Sequence, residues 1–325
     1  VNPADLPRTV AHAVRCAVED GELGGEPGGG PGAWVPPERV VVERTRPGGV
    51  GDYASPVAFQ VAKHARMRPA DVAAVLARRL GGVPGIERVE VTGPGFVNFV
   101  LPSLSAPSII AAVAAPRPAA PVASVASVPS PQLRQHAVRA AVVRILRTQG
   151  RQDPDPEGPA PAPLAQRDGD VLARYGVDAA LWAMLAVPAR ETPAFCDRLL
   201  VQGEDSEFFR VRYAHSRSRA LLRNARDLGF GPAVGEVDDA PALLRVLADH
   251  PLVLEAAAHH RAPERLVRHL VELADALLDF QYRVLPQGDE KPSAAHRARL
   301  ALAEAAGTVL AGGLALLGMD APERL

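Results

Sequence analysis

Apolar residues Leu6, Val10, Ala13, Val14 and Ala17 recur three and four apart, which predicts one amphipathic helix over Leu6–Glu19. Two more helices are predicted over Ser55–Met67 and Pro69–Leu80, and short β-rich runs at Arg39–Arg44, Ile86–Val91 and Phe96–Leu101 predict strands. Gly93-Pro94-Gly95 supplies the turn between the last two, because glycine accepts positive φ and proline pre-sets its own. Residues 1–101 therefore read as a small α+β domain.

Beyond it the pattern changes twice. Residues 102–131 are dominated by Ala, Pro, Ser and Val, and 151–168 are proline-rich and acidic. Repeated prolines neither continue helices nor donate to ladders, so both read as extended linkers. Between them, in 132–150, Leu133–Thr148 has helical periodicity and an arginine-rich face. Residues 169–325 read almost wholly helical, with breaks at Pro188, Pro193, Gly229–Gly235, Pro251, Pro263, Pro286–Pro292 and Gly318. Short loops between amphipathic helices predict a bundle. The fold class is mainly α, with the small α+β domain at the N-terminal side.

Composition narrows the function classes. In 325 residues, 47% hydrophobic, there is material for several cores. The 36 basic and 37 acidic residues leave a formal charge of -1, so a nucleic-acid surface has to be local. Cys16 and Cys196 lie far apart with no CxxC pair, which indicates neither a disulfide framework nor a thiolate zinc site and fits a reduced cytoplasm. No apolar run looks like a membrane span, and no secretory signal opens the chain.

Candidate chemistry is sparse. The glycine-rich run Gly24–Gly32 lacks a following Gly-Lys-Ser/Thr and a leading strand, so it reads as a loop rather than a phosphate cradle. His259 and His260 are adjacent and diverge by about 100° on a helix, so they do not clamp one ion. No histidine has a metal-ligand spacing, no GxSxG elbow is present, and no catalytic or metal residue is assigned.

The strongest local charge feature is Phe208–Asp227, with six arginines against one terminal aspartate. Arg212, Arg219, Arg223 and Arg226 fall in a stripe opposite Ala214, Leu221 and Ala225. Two readings stay open: a solvated face paired with acids elsewhere, or a row of forked donors following a nucleic-acid backbone. Phe208, Phe209 and Tyr213 interleave with the stripe, either as core or as stacking platforms.

Particular segments resemble arginyl-tRNA synthetases. Gly51–Lys63 (GDYASPVAFQVAK) with Ile86–Leu101 (IERVEVTGPGFVNFVL) is similar to that family's N-terminal additional domain, which grips the D-loop corner of tRNA. By this resemblance Tyr53, Phe59 and Gln60 are D-loop contacts, although Pro56 stands where the family has Asn. Tyr175–Ala179 (YGVDA), Val211–Arg217 (VRYAHSR) and the tail Arg299–Leu325 resemble the all-helical DALR anticodon-binding domain. This implies tRNA roles for Arg212, Tyr213, His215, Arg217, Arg219, Arg223 and Arg226. Leu133–Gly150 looks like the helix after the family's HIGH signature, but Pro129-Ser130-Pro131-Gln132 occupies that signature's place. The signature histidines stabilise charge on the ATP phosphates, and this run offers no comparable donors.

The resemblance implies a tRNA-binding synthetase-like protein, with arginine-type tRNA as partner and no aminoacylation or cofactor. Two alternatives are carried. One retains arginine-tRNA ligase activity, using ATP, alone or with a separate catalytic partner; the other is an interaction module for a synthetase or for itself.

Overall fold

The computed structural model describes residues 3–24, 40–46, 48–102, 105–113, 130–151 and 160–325. Most of the glycine-rich run, Arg39, Pro129 and much of the two proline-rich stretches lie outside these residues. The chain divides into two compact units, Val1–Leu104 and Ser105–Leu325.

The first unit contains α1 (Leu6–Glu19), β1 (Glu43–Arg44), β2 (Tyr53–Ser55), α2 (Val57–Ala65), α3 (Pro69–Leu80), β3 (Arg88–Thr92) and β4 (Phe96–Val100). The strands form one antiparallel sheet in the order β1-β2-β4-β3. Helices α1 and α3 have the ends their sequence pattern marks, each with proline in the first turn, where a missing N–H leaves no bond unmade. Pro56 is the N-cap of α2. Only Glu43–Arg44 of the Arg39–Arg44 run pairs as strand; Val40, Val41 and Val42 are buried without ladder bonds.

The motifs that mark this unit are largely structural. The Asp52 backbone N–H donates to the Phe99 carbonyl at 2.8 Å, and its carboxylate accepts the Leu101 N–H at 3.0 Å. Gly51 has φ of 74°, and a Cβ there would meet the Phe99 carbonyl oxygen at 2.8 Å. Asn98 is buried and donates to Thr92 Oγ1 at 2.7 Å across the β3–β4 hairpin. The hairpin turn lies against the start of α3, where Gly95, at φ of 144°, leaves no room for a side chain beside the Pro69 backbone.

The second unit holds α4 (Ala106–Val113), α5 (Ser130–Thr148), α6 (Val171–Tyr175), α7 (Val177–Leu185), α8 (Glu207–Asp227), α9 (Pro241–His260), α10 (Glu264–Phe280) and α11 (Ala294–Leu317). Its core is where α8, α10 and α11 meet, with α9 against α10. The extended reading of 102–131 is corrected at Ala106–Val113, which is helical and packs on α9 and α11. Buried Ala106, Ile109 and Val113 supply an apolar face that outweighs the prolines around it. The break expected at Pro251 is also corrected. It lies inside α9, whose flanking Leu247, His250, Leu252 and Leu254 are all buried; packing on both sides tolerates one absent backbone donor.

Helix α5 is part of the helical unit. It packs on α7, α9 and α11, and two arginines of its expected cationic face turn inward. Arg134 is only 1% exposed, and its guanidinium donates to the carbonyls of Glu191 (2.5 Å), Ala162 (2.8 Å), Pro188 (3.0 Å) and Met184 (3.4 Å). Arg144 donates to the Leu316 carbonyl at 3.2 Å, near the end of α11. Ala162 also bonds the Ala189 carbonyl through its N–H at 2.7 Å, so the end of the second proline-rich stretch docks on the bundle.

Helix α11 is long and apolar enough to cross a membrane by composition, with mean hydropathy 1.8, which the reading of apolar runs did not register. In the bundle 72% of that window is buried, and α11 lies against α8, so it behaves as a core helix. At Gly307 of α11 a Cβ would clash with Ser218 Oγ of α8. Gly307→Ala is expected to lose about 1–3 kcal/mol from overpacking, less about 1 kcal/mol regained in helix propensity. Combining it with Ser218→Gly should restore most of the loss in urea unfolding; equal loss in the double variant would refute the clash.

Candidate nucleic-acid interface

Helix α8 starts cleanly because Ser206 caps it, accepting the Phe209 N–H at 3.3 Å, with Glu207 in the first turn complementing the helix dipole. Phe208, Val211, Ala214, Ser218, Leu221 and Ala225 are buried, including all three residues expected opposite the arginines. The outward stripe carries the cations, but most are already engaged.

The segment following α11 lies along this stripe. Arg219 pairs with the Glu323 carboxylate at 3.2 Å, and Arg223 donates to the Glu323 carbonyl at 3.4 Å. Ser216 Oγ donates to the same carbonyl at 3.3 Å, and His215 Nδ1 lies 3.0 Å from the Pro322 carbonyl. Arg217 donates to Gln281 Oε1 at 2.5 Å, tying α8 to the turn after α10. Arg212 lies over the Phe208 ring at 5.2 Å, and its buried Nε has no hydrogen-bond partner among the described residues. Arg226 is exposed.

Tyr213 is 40% exposed, and its ring stacks on Phe209 with centroids 5.6 Å apart and planes 14° from parallel. Beside this pair is a cavity of about 380 Å³, lined by Tyr175, Val177, Leu200, Phe209, Arg212 and Leu325 among others. Asp178 reaches its rim, and burial raises its carboxyl above the ordinary range, opposed by a bond from the Asp320 N–H. Aromatic faces, a forked cation and an open mouth suit a planar base with a phosphate nearby.

The sequence reading missed the tail acceptors and Tyr282. Tyr282 is 69% exposed, next to the Gln281 that holds Arg217. An aromatic in a segment otherwise closing a helix was the available signal, since only 4% of the chain is aromatic.

His215 is buried, and burial lowers its pKa below the ordinary value, with the Pro322 bond opposing. A carbonyl only accepts, so Nδ1 carries the proton of the neutral ring. The unfolded imidazole gains a proton near pH 6.5, about its free value. The folded one resists, so stability rises with pH across that window and falls as pH drops below it. Urea unfolding at pH 7.5 and 5.5 should show this loss, and His215→Gln should show less of it; identical pH slopes would contradict the assignment.

In the first unit the expected residues separate. Tyr53 is 2% exposed and Arg44 lies over its ring at 5.3 Å, so it props the sheet and offers no face to a base. This corrects its reading as a surface contact: in β2 the side-chain alternation turns Tyr53 and Ser55 inward. Phe59 is half-buried and meets partly exposed Phe96 edge-on at 5.1 Å, with Gln60 exposed beside it. Phe59, Phe96 and Gln60 thus make a surface aromatic patch with one polar arm.

Comparison with known proteins adds two domain matches. The family described as arginyl tRNA synthetase N terminal domain matches residues 8–101. The DALR anticodon binding domain matches residues 211–325. Among solved structures, Thermus thermophilus arginyl-tRNA synthetase is similar over 98% of this chain and 100% of that one, with a TM-score of 0.59 and 15% identity. At that identity the likeness speaks for the fold. A putative arginyl tRNA synthetase from Campylobacter jejuni matches 48% of this chain and 35% of its own, at 20% identity and a TM-score of 0.41.

Proposed function

We propose that this chain, which carries an arginyl-tRNA synthetase N-terminal domain and a DALR anticodon-binding domain, binds tRNA of the arginine type without activating arginine itself. The observation that carries this reading is the pairing of both domains in one chain, in the order 8–101 then 211–325. In the second unit the stripe Arg212, Arg219, Arg223 and Arg226 and the Tyr213–Phe209 pair serve phosphates and bases, with His215 and Arg217 holding their supports in place. In the first unit Phe59 and Gln60 serve the D-loop, and Phe96 takes the place assigned to Tyr53. Phosphate contacts set register, and stacked bases discriminate.

What occupies the middle of the chain supports the absence of activation. Every described strand lies within 43–100, and α4, α5, α6 and α7 form part of the helical unit. An ATP site of the doubly wound kind needs parallel strands with helices on both faces. ATP has a role here only under the ligase alternative, with a catalytic partner supplying the sheet. The apolar surfaces of α7, α9 and α11 are covered by α4 and α5 of the same chain, which weakens the case for self-association. Two free thiols, Cys16 and Cys196, favour the cytoplasm as its place.

Gel retardation at low salt tests the reading. Arginine tRNA should be retarded at lower protein concentration than unrelated tRNAs, and the same sample should give no arginine-dependent ATP–pyrophosphate exchange. Equal retardation of every RNA, or none, would remove the binding claim; exchange by the isolated chain would remove the second.

A further inference from the structure

Helix α1 presents a cationic face that neither the aromatic patch nor the sheet uses. Arg8, His12 and Arg15 stand at positions i, i+4 and i+7, which share one side of a helix. With Thr9, Ala13 and Cys16, and with Arg79 and Val83 at the end of α3, they line an open groove of about 640 Å³. The opposite side of α1, Leu6, Val10, Val14 and Ala17, is buried, so packing fixes the orientation of the face.

The charge in the groove is not balanced from within. Asp20 and Glu22 are close, but both are held by Arg79, at 2.6 and 2.9 Å, and Glu22 also by Arg78 at 3.1 Å. No ion pair among the described residues engages Arg8 or Arg15. The groove's own lining thus carries two uncommitted guanidiniums and no carboxylate, with Glu19 standing one turn beyond Arg15 at its end. Arg8 and Arg15 are separated by about 10 Å along the axis, at 1.5 Å per residue, which suits separate phosphates of one strand better than a single small anion.

We infer that this groove, whose lining includes neither Phe59 nor Phe96, is a second RNA contact, taking the phosphate backbone of the bound RNA on Arg8 and Arg15. The inference rests on the reading that the chain binds tRNA. Cys16, half-buried in the groove with its Sγ 3.6 Å from His12 Nε2, reports on occupancy, because a backbone lying there blocks reagents from the thiol.

The test uses the full chain carrying Cys196→Ser, so that Cys16 is the single thiol. Saturating tRNA at low salt should slow maleimide alkylation of Cys16 at least fivefold, with protection fading as salt rises. Arg8→Ala/Arg15→Ala should abolish the protection while circular dichroism stays unchanged, and Arg46→Ala/Arg88→Ala, which removes equal charge elsewhere in the unit, should keep it. Retardation of tRNA with unaltered Cys16 alkylation would overturn the groove and leave the binding reading standing. No retardation at all would overturn both. Equal protection by polyglutamate would assign the groove to an acidic protein segment and overturn the RNA contact.

Discussion

Arg134→Ala is expected to destabilise the helical unit by about 2–4 kcal/mol, because it removes the charge-assisted hydrogen bonds of a buried guanidinium, each about 1.5–3 kcal/mol and not additive. Arg134 is almost fully buried, and its five donors reach carbonyls from four places: Met184 at the end of α7, Pro188 and Glu191 beyond it, and Ala162 before α6. Burial lowers its pKa, with the field of Glu264 and Glu191 opposing, yet a guanidinium remains charged at neutral pH. Truncation leaves four carbonyls without this donor, the one of Met184 buried and the other three part-buried, and an unmet buried polar group costs about 1–3 kcal/mol before water enters. Arg134→Lys keeps the charge but loses the planar fork, so it should recover only part of the loss. Urea unfolding followed by circular dichroism gives the magnitude. Hydrogen exchange should show α5 amides opening first, because Arg134 joins α5 to the segment around residue 162. A loss below about 1 kcal/mol for Arg134→Ala would mean that helix packing alone holds α5.

The same residue shows where a linear sequence stops being readable. Periodicity reports which side of a helix is apolar, and it placed α1 and α3 because both are amphipathic and carry proline in the first turn. It gives Leu133–Thr148 an arginine-rich face without separating Arg134 from it, because nothing local distinguishes an arginine that meets solvent from one that meets four carbonyls. Tyr53 failed similarly: a tyrosine in a motif shared with tRNA-binding proteins looks like a contact, but a strand of three residues turns it inward. Pro251 and Ala106–Val113 were misread in the opposite direction, since local propensity argued against helices that tertiary packing supports. At the candidate interface the positions of the α8 arginines and their buried opposite face were legible. The occupation of those arginines was not, because Pro322 and Glu323 lie about a hundred residues downstream.

That occupation shapes the second large effect. Arg219→Ala/Arg223→Ala is expected to weaken tRNA binding about tenfold at low salt and to lower the salt slope by about 1.4–1.8, the share of two phosphate contacts. In the free chain both arginines hold Glu323, so a phosphate must take their donors from the tail. The Arg219–Glu323 pair is exposed on both sides, and such pairs contribute at most about 1 kcal/mol, so the exchange is energetically open. The tail also provides the control. Glu323→Ala leaves both arginines in place and removes the competing carboxylate, so it should bind tRNA at least as tightly as the unaltered chain. If Glu323→Ala instead weakens binding as much as the double variant does, the arginines act by holding the tail rather than by touching phosphate. Filter binding of the three proteins across a salt series separates the two cases, because only direct phosphate contact flattens the slope when the arginines are removed and leaves it intact when Glu323 is.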